Sequence, residues 1–401
     1  MKKKKILIVA MTESIHVARW IKQIANKKDY EIHLFSSSDT GVNHGELSKL
    51  NIKIYHTFYS RFVNRITSGK KGAKRLKSAV SQPGLIFLYR KIVNTFFRNY
   101  QKKYLARIIK KIKPDVIHSM EIQQAGYLVN TVKQNFKGKF PKWIVTNWGS
   151  DVYLFGRLKD HQKKIKDVLK NSDYYSCECH RDICLAKDYG FTGKTLPVFP
   201  NTGGFDLEKV FSIREKIKPS QRKMIIVKGY QGWSGRALVA LRALQRCADL
   251  LKGYEIYLYS VQPNTGVDIA AELFMATTKI PVKIIPLFSS HETILKYQSQ
   301  SRIYLGLGIS DAISTSLLES MAMGSFPIQS STSCANEWVE NNKSGIIVPP
   351  EDPEIIEKAL KKALTDDKLV DEAAKINFKV VKNRLDNPEI KNQIIQFYST
   401  I

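Results

Sequence analysis

Two acidic side chains, Asp311 and Glu319, flank a run of hydroxyl residues in the second half of the 401-residue chain. The run consists of Ser314, Thr315 and Ser316. Such a run is typical of a helix start, where backbone N–H groups bind phosphate. An apolar stretch follows and ends at Gly324, which predicts a helix with a left-handed cap before the next strand. The pattern favours a nucleotide-binding α/β unit. The spacing Ser316-x-x-Glu319 is also that of a capping box, which needs no ligand.

A glycine-rich turn begins and ends with a cation. Lys228 and Arg236 flank three glycines, which are Gly229, Gly232 and Gly235. Glycines let the backbone approach a ligand closely, and the flanking cations suit the negative charge that develops on a departing diphosphate. The turn therefore predicts group transfer supported by charge and backbone N–H groups. A flexible surface loop with two cations is the alternative.

No metal site is predicted, because no Asp-x-Asp motif follows a predicted strand. Cys177, Cys179 and Cys184, with the neighbouring His180, do not have the spacing of common zinc sites. Cys177 and Cys179 alternate as the inward face of a strand would. The five cysteines form an odd and sparse set, which favours a reducing compartment and predicts a cytoplasmic protein.

The chain is long enough for two domains of about 200 residues each. Strands and helices alternate in both halves, which predicts parallel sheets with helices on both faces. In the first half we predict strands at 5–11, 30–36, 52–56, 113–118, 143–146, 174–179 and 196–199. In the second half we predict them at 224–228, 255–260, 282–285, 303–307 and 326–328. A cluster of Pro, Asn and Gly residues at 200–206 predicts the domain boundary.

The formal net charge of +28 is unevenly distributed, because residues 47–114 contain eighteen Lys and Arg residues and no acid. Apolar residues from Leu85 to Ile112 recur at helical spacing among these cations. A basic amphipathic helix either packs on a sheet or rests on anionic lipid headgroups, and we predict peripheral membrane contact. A solvated basic face is the alternative. No basic helix-turn-helix pattern or aromatic cluster supports nucleic-acid binding.

The first apolar stretch, 6–11, is too short for the core of a signal peptide and is predicted to be a strand. Longer apolar runs are broken by Lys or Arg, so the sequence predicts no transmembrane span.

The segment from Asp311 to Pro350 resembles the C-terminal signature of the retaining GT-B glycosyltransferases related to glycogen synthase, commonly called family 4. The matching elements are Asp311, Glu319, Met321-Ala322-Met323-Gly324, Pro327, Glu337 and Gly345-Ile346-Ile347-Val348-Pro349-Pro350. Asp311 stands where the family has a glutamate, and Ala312-Ile313 replaces a frequent Gly-Phe pair.

The resemblance implies two Rossmann-like α/β domains that face a cleft. Residues 1–200 would form the acceptor-side domain, which includes the basic region 47–114. Residues 201–379 would form the domain that binds the nucleotide sugar. Residues 380–401 would form a helix that crosses back to the first domain.

The resemblance also implies roles for individual residues. Lys228 and Arg236 would hold the diphosphate, although their order along the chain is reversed relative to the family. Gly229 and Gly235 would let the backbone approach the donor, and Ser314, Thr315 and Ser316 would present the helix start to its distal phosphate. Glu319 would accept hydrogen bonds from the ribose, and Asp311 from the donor sugar.

In the first domain the resemblance places His118 at a strand end near the donor sugar, and a satisfied polar histidine is the alternative. Asp151 matches a Gly-Ser-Asp turn and would orient His118 or its own loop. His16 lies in the first loop between strand and helix.

The resemblance predicts a retaining glycosyltransferase that moves a sugar from a nucleotide diphosphate to a glycan or lipid-linked glycan, as in bacterial surface polysaccharide or lipopolysaccharide assembly. Attack from the front face requires no protein nucleophile, no metal and no cofactor. The protein would lie on the inner face of the membrane. A GT-B phosphorylase or a nucleotide-sugar epimerase is an alternative enzyme, and a basic nucleic-acid-binding protein is the alternative from another class.

Overall fold

The computed structural model describes residues 3–38, 41–57 and 99–401. The contacts divide the chain into two compact units. Unit 1 comprises Met1–Thr202 and Lys391–Ile401, and unit 2 comprises Gly203–Ile390. The division places residues 380–390 in unit 2, whereas the sequence placed them in a separate crossing helix.

Unit 1 contains a parallel sheet with seven strands in the described part of the chain. In chain order the strands are β1 (Lys4–Ala10), β2 (Tyr30–Ser36), β3 (Lys53–Tyr55), β4 (Val116–Met120), β5 (Lys142–Thr146), β6 (Tyr174–Ser176) and β7 (Lys194–Thr195). Their order across the sheet is β3-β2-β1-β4-β5-β6-β7. The central strands are buried on both faces, as in parallel sheets covered by helices.

The helices of unit 1 lie on both faces of this sheet. They are α1 (Ile15–Ile24), α2 (Tyr100–Ile112), α3 (Tyr127–Gln134), α4 (Ser150–Tyr153), α5 (Lys159–Asn171) and α6 (His180–Asp188). One apolar core forms where α2, α3 and α5 pack against inward side chains such as Leu7 and Val145. Strand β6 ends at Ser176, so the predicted extension of this strand to Cys179 is wrong.

The basic amphipathic helix falls only partly within the described residues. Its segment 85–98 lies outside them, and α2 contains the remainder. Leu105, Ile109 and Ile112 of α2 are buried in the core of unit 1. The exposed face of α2 presents Lys103, Arg107, Lys110 and Lys111. In α2 the apolar face therefore packs on the sheet, and only the basic face is available to an anionic surface.

Unit 2 contains a parallel sheet with six strands in the part of the chain that is described. They are β8 (Met224–Lys228), β9 (Glu255–Tyr259), β10 (Val282–Ile284), β11 (Ile303–Gly306), β12 (Phe326–Ser330) and β13 (Ile346–Val348). The order across the sheet is β10-β9-β8-β11-β12-β13. The chain therefore builds outward from β8, returns to place β11 beside it, and builds outward on the other side.

The helices of unit 2 again cover both faces of the sheet. They are α7 (Leu207–Ile213), α8 (Ala237–Gln245), α9 (Val267–Thr278), α10 (His291–Gln300), α11 (Thr315–Met323), α12 (Pro353–Thr365) and α13 (Asp367–Arg384). Helices α8, α9 and α12 enclose one core, and α7, α10, α11 and α13 enclose the other. The last helix, α14 (Asn387–Ser399), contributes its residues from Lys391 onward to unit 1. The two-domain α/β architecture predicted from the sequence is confirmed.

Among the described helices, none combines the length and the apolar composition needed to span a bilayer.

Candidate active site

The candidate donor site lies at the carboxyl edge of the sheet of unit 2, where β8 and β11 are neighbours. Both strands run in the same direction, with Ile303 beside Ile225 and Leu305 beside Val227. The strand order reverses between them, and ligands of open α/β sheets bind outside the carboxyl ends of strands at such a switch point. The turn after β8 and the loop after β11 therefore share one edge.

The glycine-rich turn after β8 is tied to the loop after β11. Gly235 forms an antiparallel bridge with Gly308, and the backbone N–H of Ile309 donates to the carbonyl of Ser234 at 2.8 Å. A Cβ on Gly235 would collide with the backbone of Tyr230, and one on Gly229 would lie 2.9 Å from the carbonyl oxygen of Tyr259. Only glycine fits at these two positions, so the turn packs closely against its neighbours.

The two cations of the turn differ in their surroundings. Arg236, at the start of α8, donates from Nε to a carboxylate oxygen of Glu351 at 2.7 Å and from NH1 to the carbonyl of Gly235 at 2.8 Å. Lys228 ends β8 and is half-buried. Within the described part of the chain it forms no ion pair. Of the two, the charge of Lys228 is the less compensated.

Helix α11 begins beside this turn. Ser314 is its N-cap residue, is 2% exposed and makes no capping bond from its side chain. Thr315 and Ser316 form the first turn and are half-buried. Ser316 lies within the helix, so the capping-box alternative is wrong. Gly324 closes the helix with φ of 83°, which confirms the predicted left-handed cap.

Glu319 faces a partner that the sequence did not indicate. Its carboxylate is 7% exposed and lies 2.6 Å from Nε2 of His291, the first residue of α10. His291 is separated from Glu319 by 28 positions, and nothing in its local pattern distinguishes it from an ordinary polar residue at a helix start. The contact orients one carboxylate oxygen of Glu319 toward α10.

Asp311 lies in the loop between β11 and α11. Its carboxylate accepts a hydrogen bond from the backbone N–H of Ala312 at 2.9 Å, and the residue is partly exposed. Lys228, Arg236, Asp311 and Glu319 therefore belong to elements that meet at the same sheet edge. The site residues predicted in the second half thus come together in unit 2.

His118 does not occupy the predicted position. It is the third residue of β4, has no exposed surface, and both ring nitrogens are bonded. Nδ1 lies 2.6 Å from the hydroxyl of Tyr398, and Nε2 lies 2.6 Å from the hydroxyl of Thr146. Burial lowers the pKa of His118 to about 3, so the ring is neutral. The prediction that His118 contacts the donor sugar is therefore wrong, and the alternative of a satisfied interior histidine is right.

Asp151 connects two loops at the carboxyl edge of the sheet of unit 1. Its Oδ2 accepts from the backbone N–H groups of Ile122, after β4, and Trp148, after β5, both at 2.9 Å. Burial, and next the charge of Glu121, raise the pKa of Asp151 well above its usual range. Asp151 thus orients its own loop and the neighbouring loop rather than His118.

Glu121 is a second buried carboxyl group that the sequence analysis missed. It follows β4 directly, is 4% exposed, and accepts hydrogen bonds from the backbone N–H groups of Gln124 and Ala125. Burial raises the pKa of Glu121 to about 7. The available signal was an acid placed immediately after a predicted central strand.

His16 lies in the first turn of α1, and its ring packs edge-on against Trp148 with centroids 5.9 Å apart. Both residues belong to unit 1, on elements that follow the carboxyl ends of β1 and β5. Their contact fixes the relation between these two loops.

Comparison with known proteins finds glycosyltransferase family models that match two segments of the chain. Residues 89–177 match the family model described as glycosyl transferase 4-like, and residues 278–380 match the model described as glycosyl transferases group 1. The second match contains Asp311, Glu319 and the whole of α11. No curated protein matches the sequence.

Solved structures show the same fold at low sequence identity. Sucrose-phosphate synthase from Thermosynechococcus elongatus has a TM-score of 0.72 at 13% identity, with 99% of each chain covered. A glycosyltransferase from Rickettsia africae has a TM-score of 0.66 at 17% identity, covering 100% of this chain and 99% of its own. HepE from Anabaena, in complex with UDP-glucose, has a TM-score of 0.67 at 12% identity, covering 99% of this chain and 100% of its own.

Two parallel α/β units of this kind define the GT-B fold. The two family matches, together with this fold, support a GT4-like glycosyltransferase.

Proposed function

We propose that the protein transfers a sugar from a nucleoside-diphosphate sugar to a glycan or a lipid-linked glycan, with retention of the anomeric configuration, in the assembly of a surface polysaccharide. One observation carries this proposal. The glycine-rich turn, its two cations, the start of α11 and two carboxylates meet at the switch point of unit 2. HepE, which has the same fold, was solved with UDP-glucose.

In this proposal the diphosphate lies over the turn after β8. Lys228, which forms no ion pair among the described residues, provides an uncompensated charge. Beside it, the backbone at Gly229 and Gly235 can approach the diphosphate closely. When the donor binds, Arg236 releases the exposed carboxylate of Glu351 and donates to the phosphate oxygens instead. The first-turn N–H groups of Thr315 and Ser316 bind the distal phosphate, because a helix N-terminus favours anions.

The two carboxylates bind the hydroxyl groups of the donor. Glu319 accepts from the ribose through the oxygen that His291 does not hold, since an ionised carboxylate has several acceptor positions. Asp311 accepts from the sugar. The cations and N–H groups stabilise the departing nucleoside diphosphate, so the proposed reaction requires neither metal nor cofactor.

A ligand-induced change in thermal stability tests the donor proposal. UDP, GDP, ADP and their sugars are each added to the full-length protein. A ligand at a hundred times its dissociation constant stabilises the native state by about 2.7 kcal/mol. We expect a higher melting temperature with one nucleotide, and no such increase in the Lys228→Gln variant. Absence of a shift with every nucleotide would contradict the proposal.

The class of reaction is tested by the products. A transferase releases nucleoside diphosphate only when acceptor is present, whereas an epimerase releases none and a phosphorylase consumes inorganic phosphate. Product analysis with and without a glycan acceptor therefore separates the proposal from both alternatives.

A nitrocellulose filter assay with duplex and single-stranded probes tests the nucleic-acid alternative, for which we expect no retention at physiological salt.

We also propose that the protein acts in the cytoplasm, at the inner face of the membrane. The support is the basic outer face of α2, with Lys103, Arg107, Lys110 and Lys111 exposed. Charge attraction to anionic lipid is screened by salt. We expect sedimentation with anionic vesicles at low salt and its loss at about 1 M salt. Binding that is insensitive to salt would contradict an electrostatic contact.

A further inference from the structure

A basic pocket lies at the amino edge of the sheet of unit 2. It has a volume of about 520 Å³, and it is formed by the segment 214–219, Arg222 and the first turns of α13. Arg222 precedes the start of β8 by two residues, whereas Lys228 ends β8. The pocket and the candidate donor site are therefore at opposite edges of the same sheet.

The side chains around the pocket carry an excess of positive charge. Six cations contribute to the lining, and they are Arg214, Lys216, Lys218, Arg222, Lys368 and Lys375. The lining also contains three acids, of which one pairs with a lysine of the lining and one is bonded to Ser220. Glu372 pairs with Lys375 at 2.7 Å, and Asp371 accepts from the backbone N–H and the hydroxyl of Ser220 at 3.0 and 2.9 Å.

Two arginines line the pocket, and the charge of Arg214 acts on Arg222. Arg222 is 6% exposed and donates to the carbonyls of Ile217 at 2.9 Å and Ser301 at 3.2 Å. Burial, and next the charge of Arg214, lower the pKa of Arg222 to about 10. Burial also lowers the pKa of Arg214. Two like charges partly removed from water are unfavourable unless an anion compensates them.

The protein compensates these charges only in part, because Glu215 and Asp371 act on Arg222 through space without pairing with it. In the part of the chain that the structure describes, no carboxylate forms an ion pair with Arg214, Arg222, Lys216, Lys218 or Lys368. The guanidinium of Arg214 is held in place, because it lies over the ring of Phe378 at 5.0 Å. A Cβ at Gly324 would lie 2.8 Å from a terminal nitrogen of Arg214, so the glycine provides room for the arginine.

We propose that this pocket is a second anion-binding site, separate from the donor site, and that it takes a phosphate-bearing ligand. A planar guanidinium surrounded by lysines suits the several oxygens and the double charge of a phosphate. The volume lies in the range of pockets for small ligands and accommodates one phosphorylated molecule or one lipid headgroup. The site does not depend on the identity of the sugar donor.

The test compares two triple variants of the full-length protein. In the pocket variant, Lys216→Gln, Lys218→Gln and Lys368→Gln remove three exposed lysines from the lining. In the control variant, Lys252→Gln, Lys296→Gln and Lys358→Gln remove three exposed lysines elsewhere in unit 2. Both variants change the net charge equally, and equal melting temperatures show that neither is misfolded.

Pyrophosphate is the soluble probe, and its binding is measured by calorimetry. Any binding at the donor site is present in both variants, so their difference reports on the pocket. We expect the pocket variant to bind about tenfold or more weakly than the control, because charge-assisted contacts are lost. A variant with Arg214→Gln alone should move in the same direction.

Vesicles of phosphatidylcholine, with and without phosphatidic acid, identify the source of the phosphate. Because the basic face of α2 is intact in both variants, weaker sedimentation of the pocket variant than of the control assigns the pocket to a lipid headgroup. A loss of pyrophosphate binding without any change in sedimentation assigns the pocket to a soluble ligand. Equal behaviour of the two triple variants with both probes would overturn the proposal, whatever the fate of the donor site.

Discussion

The carboxyl edges of the two sheets differ in how their charged groups are used. In unit 1 the groups at the edge are buried and engaged, since Asp151 and Glu121 hold backbone N–H groups, and His118, in the middle of β4, is bonded at both nitrogens. In unit 2 the glycine-rich turn, Lys228 and the start of α11 stand at a half-buried edge. The same architecture therefore supports one edge built for structure and one suited to a ligand. Substitutions at the two edges should affect different quantities.

The largest effect is expected at the cations of unit 2. Lys228→Gln and Arg236→Gln should each reduce kcat/KM about a hundredfold or more, because one contact to a developing anion contributes about 2.7–4 kcal/mol. The melting temperature should change little for Lys228→Gln, whose side chain is half-buried and makes no ion pair among the described residues. Arg242→Gln, at an exposed position on the same helix as Arg236, is the matched control. If both variants kept an activity close to that of the parent protein, neither cation would belong to the active site.

The next effect is expected in unit 1 and concerns stability. His118→Ala removes a fully buried ring and leaves the hydroxyls of Thr146 and Tyr398 without their partner. We expect the free energy of unfolding to fall by about 2–4 kcal/mol. Chemical denaturation measures this loss. If the variant kept its stability and instead lost turnover, the contrast between the two edges would be wrong.

His118 also gives the stability a defined pH dependence. Its pKa is about 3 in the folded chain and 6.5 as a free side chain, so only the unfolded chain takes up a proton between these values. Stability should therefore decrease as the pH falls from 6.5 toward 3, by at most about 1.4 kcal/mol per pH unit. The slope should be smaller in His118→Gln, and an unchanged slope would assign the dependence to other groups.

Glu121 should give the stability a pH dependence of the opposite sign. Its pKa is raised to about 7 from 4.5, so the folded chain holds an extra proton between these values and loses stability as the pH rises through this window. In Glu121→Gln this loss should be absent. As the pH rises from 4.5 to 7, the unfolding free energy of the parent should therefore fall relative to that of the variant, by at most about 1.4 kcal/mol per pH unit. A difference independent of pH would show that Glu121 is ionised in the fold.

The smallest effect is expected at His291. Replacing it by Gln removes the ring nitrogen that holds Glu319 at 2.6 Å but retains a hydrogen-bond donor. We expect a rise in the donor KM of several-fold with little change in kcat, since the contact positions a ground-state binding group. His291→Ala should raise the KM further, and recovery by Gln separates positioning from a general loss of packing.

The comparison also shows which features a sequence can predict. Strands 30–36 and 224–228 were predicted at the bounds that the structure has, because apolar runs between turn residues are a local signal. The grouping of Lys228, Asp311 and Glu319 was implied by the family resemblance, and the structure places them on elements that meet at one sheet edge. The alternation through Cys179 was misleading, since both Cys177 and Cys179 are buried although the strand ends at Ser176.

Long-range contacts were not predictable from local patterns. The prediction for His118 assumed a strand end, whereas β4 continues to Met120 and the ring meets Tyr398, 280 positions away. The pairing of His291 with Glu319 depends on how α10 packs beside α11, which no periodicity encodes. The accumulation of cations around the basic pocket likewise joins 214–222 to 368–375 only after folding.

The division of the chain has a consequence for its synthesis. Trp20 and His118 both bond the hydroxyl of Tyr398, and Lys4 donates to the carbonyl of the same residue. A ribosome releases residues 3–202 first, yet the interior of unit 1 is incomplete until residues 391–401 have emerged, after the whole of unit 2. Domains usually fold in the order of their synthesis. In this chain the unit that is translated first is completed last. Its interior stays incomplete while nearly 190 further residues are translated.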